Sequence, residues 1–121
     1  MRKKSNKPQV LLVEDDQGFR ELLKEELEEA GYMILPASSI AEAKEQLSYN
    51  QPDIILTDMK LPDGRGTDLL QITKKYPLVP AFLVLTAFGT IPQAVEALKK
   101  GADHFLTKPV DFDHLRVGLE K

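Results

Sequence analysis

The stretch DIILTDMKLPDGRG, residues 53–66, runs an apolar segment, Ile54-Ile55-Leu56, straight into an aspartate, Asp58, and then into a loop with a proline and two glycines. A carboxylate beside a hydrophobic core is costly unless it is paired or holds a cation. Either Asp58 is only a solvated loop residue, or residues elsewhere in the chain converge on it.

Outward from this stretch, short apolar runs alternate with helical patterns. VLLV (Val10–Val13) reads as a strand buried on both faces. Phe19, Leu22, Leu23, Leu27 and Ala30 then recur at helical spacing up to Gly31, a natural C-terminal cap. YMILP (32–36) reads as a second strand, and Ser39-Ile40-Ala41-Glu42 has the capping-box pattern of a helix running to about Leu47. DIILT (53–57) is the third strand and 66–76 the third helix. AFLVLT (81–86) is the fourth strand. Thr90-Ile91-Pro92-Gln93 starts a fourth helix, with Ile91, Ala94, Val95 and Leu98 on one face. HFLT (104–107) is the fifth strand, and Asp111 is expected to cap a last helix cut short by the chain end at Lys121. Five strands alternating with five helices over short connections predict an α/β fold, a parallel sheet covered on both faces.

Bulk composition narrows the chemistry. With 121 residues the chain is expected to be a basic N-terminal tail, 1–8, followed by one domain, 9–121. Apolar residues at 42% and charged residues at 29% are ordinary for a soluble globular protein. A net charge of -3 gives no general attraction to nucleic acid or to an anionic membrane. The absence of cysteine excludes disulfides, thiolate metal sites and cysteine nucleophiles, and two histidines make a histidine-rich metal site a poor fit. The basic start is followed by an apolar run too short for a signal peptide, and no segment is long enough to span a membrane; a cytoplasmic domain is expected.

In an open parallel α/β sheet, ligands bind beyond the carboxyl ends of the strands. Strand one ends in Glu14-Asp15-Asp16, strand three in Asp58 and strand four in Thr86, while strand five is followed by Lys108. Taken singly, Asp15 or Asp16 is a helix cap, Thr86 a turn residue and Lys108 a surface lysine. Together they place polar groups on one rim at four of the five strand ends. Converging carboxylates repel unless a cation lies among them, and hard oxygen ligands without histidine or cysteine suit Mg2+. An acid, a metal, a lysine and a hydroxyl are suitable parts for phosphoryl transfer, with Asp58 as the nucleophile.

At these residues the sequence resembles the receiver domain of two-component response regulators. The resemblance runs from VLLVEDD through DIILTDMKLPDGRG and LVLTAFGT to FLTKP, almost end to end. It implies a flavodoxin-like doubly wound sheet of order 2-1-3-4-5. It further implies that Asp58 accepts a phosphoryl group from a sensor histidine kinase in a Mg2+-dependent reaction. In that pattern Asp15 is the direct metal ligand, Glu14 acts through water, Asp16 has a minor part, and Lys60 contributes its backbone carbonyl. Thr86 and Lys108 contact the phosphoryl group, and a cis bond precedes Pro109. Phosphorylation is implied to draw Thr86 inward and to reorient Phe105, where many members have tyrosine, shifting the face built by the fourth helix, fifth strand and fifth helix. Lys60 and Phe88 match places that flank the incoming water, and slow self-dephosphorylation is expected from them.

The segment LTAFGTIPQAVEALKKGADHFLTKPVDF is most similar to receivers of nitrogen-regulation-type transcription activators, which precede an ATPase and a DNA-binding domain. Those domains are not in this sequence. If the chain is a fragment, which the short last helix favours, its expected role is control of assembly of the output ATPase. If it is complete, a stand-alone receiver acting by protein contact is expected, and a homodimer is one partner arrangement. The domain itself is expected neither to bind nucleic acid directly nor to catalyse more than its own phosphorylation and dephosphorylation. Two other classes share parts of the pattern. A flavin-binding protein of this architecture needs a Ser/Thr/Gly-rich phosphate loop after strand one, where EDDQG is acidic. A haloacid-dehalogenase-type phosphatase places its nucleophile on strand one with a second aspartate two residues on, where this chain has Asp58-Met59-Lys60 on strand three. A degenerate receiver serving only as a binding module would lack the acceptor or the lysine, and both are present.

Overall fold

The computed structural model describes residues 7–87, 90–108 and 110–119. Five parallel strands, β1 (Gln9–Val13), β2 (Met33–Ala37), β3 (Ile54–Asp58), β4 (Ala81–Thr86) and β5 (His104–Thr107), form one sheet in the order β2-β1-β3-β4-β5. Helices α1 (Gln17–Glu29), α2 (Ile40–Tyr49), α3 (Leu70–Thr73), α4 (Ile91–Lys99) and α5 (Phe112–Leu119) connect them. The flavodoxin-like order expected from the sequence is the order observed.

Side chains of a strand alternate between its two faces, so a parallel sheet needs two cores. Leu11, Val13, Ile55, Phe82 and Val84 face α2, α3 and α4, meeting Ile40, Leu47, Leu69 and Ala97. Val10, Leu12, Ile54, Leu56, Leu83 and Leu85 face α1 and α5, meeting Leu23, Leu27, Leu115 and Leu119. The continuous apolar runs are thus needed in full, alternate positions along each strand serving one core and the positions between them the other.

Several boundaries differ from the sequence expectation for local reasons. Asp58 is the last residue of β3 rather than the first of a loop. The third helix is shorter than 66–76, being a 3-10 turn over Gly66–Leu69 followed by one α-turn. Ahead of it, Lys60–Leu61 pairs antiparallel with Gly64–Arg65 in a small ribbon that hydrophobic periodicity does not reveal. The capping box of α2 is half formed. Ser39 accepts from the Glu42 N–H at 3.1 Å, but the Glu42 carboxylate accepts from the backbone and hydroxyl of Ser38 instead of Ser39. Gly31 follows α1 at φ 102°, a conformation open to glycine at little cost.

The direction of the α4 stripe is a finding of the structure. Ile91, Val95 and Leu98 share a face as expected, yet they are 81%, 44% and 46% exposed, and only Ala97 of this helix is fully buried. Small residues bring α4 onto the sheet while its large apolar side chains face outward.

Parallel strands also sort the ends of the elements. The amino rim of the sheet holds Gln9 at the start of β1 and His104 at the start of β5, against which Gly118 of α5 lies. The carboxyl rim holds Glu14, Asp58, Thr86 and Lys108. Residues 1–6 of the expected tail, Phe88 and Pro109 with its expected cis bond fall outside the described residues. Among the described residues no helix is long and apolar enough to cross a membrane.

Candidate functional site

The carboxyl rim gathers the polar strand ends into one crevice. Glu14 follows β1 and is nearly fully buried, Asp58 is 9% exposed at the end of β3, and Asp15 is exposed. One carboxylate oxygen from each of these three lies within 4.8 Å of the others. The Lys108 ammonium donates to Glu14 Oε1 at 2.7 Å and to Asp58 Oδ2 at 3.2 Å, spanning 94 and 50 residues of sequence. Sheet register brings these groups together. Met59 donates to the Leu85 carbonyl at 2.7 Å and Lys108 to the Thr86 carbonyl at 2.8 Å, so β3, β4 and β5 end side by side. Thr86 is buried at the rim.

Burial is the dominant electrostatic influence. It pushes the Asp58 carboxyl above its ordinary pKa, against the pull of Lys108. Burial does the same to Glu14, against hydrogen bonds from Lys108 and the Asp16 N–H. For Lys108 burial acts to lower the pKa. The Glu14 hydrogen bond and the attraction of Asp58 and Glu14 outweigh it and hold the ammonium above its ordinary value. The site therefore contains two acids that resist ionisation and a cation that is held charged between them.

Supporting contacts extend beyond the residues named from sequence. Asp16 caps α1, accepting from the Phe19 N–H at 3.1 Å, and donates its own N–H to Glu14 Oε2 at 3.0 Å. Arg20 donates to the Glu14 carbonyl at 2.6 Å, and the Phe19 ring lies 4.7 Å under the Lys108 ammonium, within cation–π range. Neither contact carries a sequence signal, because both depend on where α1 settles against the rim. Gly66 has a clearer one. A Cβ there would overlap the Asp58 carbonyl and stand 2.6 Å from Thr57 Oγ1, so only glycine lets the loop close over the end of β3. The acid set is all oxygen, part buried and part open, which fits Mg2+ with its retained waters.

Of the residues expected to act together, Glu14, Asp15, Asp58, Thr86 and Lys108 meet at this rim. Lys60 follows on the ribbon with its side chain exposed. Phe105 sits lower, half-buried on β5 against the core of α2, α3 and α4.

Comparison with known proteins gives a consistent outcome. The family model described as the response regulator receiver domain matches residues 10–120. The response regulator protein PilR of Pseudomonas aeruginosa is 42% identical over 112 residues, covering 92% of this chain and 25% of PilR. The transcriptional regulatory protein GlrR of Escherichia coli is 41% identical over 118 residues, covering 96% of this chain and 26% of GlrR. The chain thus spans about a quarter of the length of these relatives. Among solved structures, the non-phosphorylated HemR receiver domain from Leptospira biflexa superposes with a TM-score of 0.83 at 39% identity, over 94% of this chain and 92% of that one. The beryllofluoride-activated NtrC4 receiver domain dimer superposes at 0.85 with 30% identity, over 93% of each chain.

Proposed function

The chain belongs to the response regulator receiver family, and from that premise we propose that Asp58 is its phosphoacceptor, served by Glu14, Asp15, Thr86 and Lys108. The observation that carries the reading is the Lys108 ammonium seated 3.2 Å from Asp58 Oδ2 within a cluster of three carboxylates. An Asp58 oxygen attacks the phosphorus of a kinase phosphohistidine; the P–O bond forms as the P–N bond breaks, and the imidazole leaves to be reprotonated by solvent. Lys108 balances the charge arriving on the phosphoryl oxygens, and the Thr86 hydroxyl donates to one of them. Glu14 and Asp15, with Asp58 and the Lys60 carbonyl, are the groups that would hold Mg2+. When bound, the ion neutralises the oxygens that Lys108 does not reach. The domain turns over no external substrate beyond the phosphodonor.

The output face is α4, β5 and α5, with Phe105 and Thr86 as its switch residues. The exposed Ile91, Val95 and Leu98 on α4 and Val117 on α5 give that face apolar area to bury against a second copy or an output domain. The longer relatives are named as a response regulator and a transcriptional regulator, which supports an output in transcription control. An ATPase and a DNA-binding domain as that output, a sensor histidine kinase as the donor and the cytoplasm as the location are what the family resemblance implies. Slow loss of the phosphoryl group follows from Lys60 and Phe88, whose replacement, Phe88→Ala, is expected to speed decay.

Intact mass after incubation with a small acyl-phosphate donor tests the central claim. A single phosphoryl adduct that requires both Mg2+ and Asp58, and is absent in Asp58→Asn, is expected. A folded wild type that binds Mg2+ but takes no phosphoryl group would make the domain a phosphorylation-independent binding module.

A further inference from the structure

The ribbon that carries Lys60 is held at both ends, and the outer hold comes from another layer of the fold. Its base is tied to the sheet: Met59 donates to the Leu85 carbonyl, and Gly66 donates to the Met59 carbonyl at 2.9 Å. Its tip is Pro62-Asp63, the two residues between Leu61 and Gly64. There the Asp63 carboxylate accepts from two backbone groups of α2 at once, Ile40 N–H on Oδ1 at 2.8 Å and Ala41 N–H on Oδ2 at 2.9 Å. Those are first-turn donors that the helix cannot satisfy itself. The helix's own cap, Ser39, serves the Glu42 N–H, and the Ser39 carbonyl receives the Ala43 N–H. Asp63 therefore fills the places left open, from 22 and 23 residues away.

A pair of two-residue strands has little stability alone. Without its outer hold the ribbon would keep the base, the packing of Leu61 and the Arg65 N–H bond to Asp68, but no polar tie at the tip itself, and Lys60 lies between base and tip. Pro62 fixes one backbone torsion at the tip, so a fixed Asp63 transmits its placement to the preceding residues. We propose that Asp63 is a positioning residue for the metal site: its two-oxygen grip on the start of α2 sets the orientation of the Lys60 carbonyl. The inference rests on the phosphoacceptor reading above. It adds a residue that acts through the ribbon and touches neither metal nor phosphoryl group. α2 becomes part of the site's framework, although none of its side chains reaches the acids through a recorded hydrogen bond.

The test separates positioning from plain helix capping. The wild-type chain, Asp63→Ala, Asp63→Asn and Ser39→Ala are titrated with Mg2+ and followed by backbone amide resonances. Amide exchange of Met59 and Gly66 is measured in the metal-free proteins. Both Asp63 and Ser39 variants remove a cap from α2 and lower its stability. Only the Asp63 variants are expected to weaken Mg2+ binding, on the order of tenfold for alanine, and to speed exchange at Met59 and Gly66. Asparagine, which keeps one acceptor oxygen, should fall between wild type and alanine, and it carries the test should the alanine variant not fold. Equal Mg2+ affinity in wild type and both Asp63 variants would overturn the positioning role and leave the phosphoacceptor reading standing. A wild type that binds no Mg2+ would remove that reading and this inference together.

Discussion

Asp58 is a residue kept ionisable at the expense of stability. An acid whose folded pKa is raised holds its proton more tightly when folded. Stability then falls as pH rises from the unfolded value, about 3.9, through the raised one, and the cost is complete above it. Asp58→Asn removes the cost and leaves Lys108 its shorter bond to Glu14. The variant is expected to be more stable than wild type at pH 7 by about 1 kcal/mol, with the difference shrinking as pH falls through the raised value and gone below about pH 4. Denaturant unfolding at the two pH values measures it, and a wild type more stable at pH 7 would contradict it. Lys108→Ala takes away the only ammonium recorded against Asp58 among the described residues, and phosphoryl adduct formation should slow on the order of a hundredfold. Gly66→Ala forces a Cβ into the Asp58 carbonyl. It is expected to cost roughly 1–3 kcal/mol and to shift the Asp58 backbone resonances, whereas an unchanged melting curve would mean the loop can retreat freely.

At the scale of elements, caps decide more than propensity. The start of α2 is held by carboxylates from both sides, Asp63 on Ile40 and Ala41, and Glu42 on Ser38. Those backbone hydrogen bonds hold the Asp63 carboxyl below its usual range. A depressed folded pKa gives stability that is present above the unfolded value and lost as pH falls through the folded one. The Ile40 and Ala41 amide resonances should therefore titrate with a midpoint below about 3.9; a midpoint at or above it would show the contact to be absent in solution. The strands were legible because each is a short apolar run, four of the five meeting a polar residue at the rim, and the rim residues followed from where those runs stop. The ribbon was not legible, since two-residue strands carry no periodicity. The stripe on α4 was legible as a stripe but not as to its direction. Ala97 lets the helix approach the sheet through a small side chain, and periodicity alone does not say which apolar face is turned inward.

Across the whole molecule, the outward stripe of α4 is the surface whose burial the isolated domain does not need. Ile91→Ser with Val95→Ser should change unfolding stability by no more than about 0.5 kcal/mol, as exposed substitutions do. The same pair should reduce self-association of the phosphorylated form in sedimentation velocity. A large loss of stability would place these side chains in the core, and unchanged association would move the contact elsewhere. The sheet order and both cores were implied by sequence, but the link between layers through Asp63 and the approach of Phe19 to Lys108 were not. Such contacts join residues whose neighbourhood exists only after the layers have packed.

The acid cluster and the amino rim lie at opposite ends of the sheet. Gln9 and Gly118 lie at the amino rim, while Asp58 lies at the other, about 16 Å away along a five-residue strand. Cargo grafted near either of those residues stands off from the chemistry by the full height of the sheet. Exchanging it is expected to leave the Asp58 site undisturbed, and any influence between the two has to pass through the intervening layers.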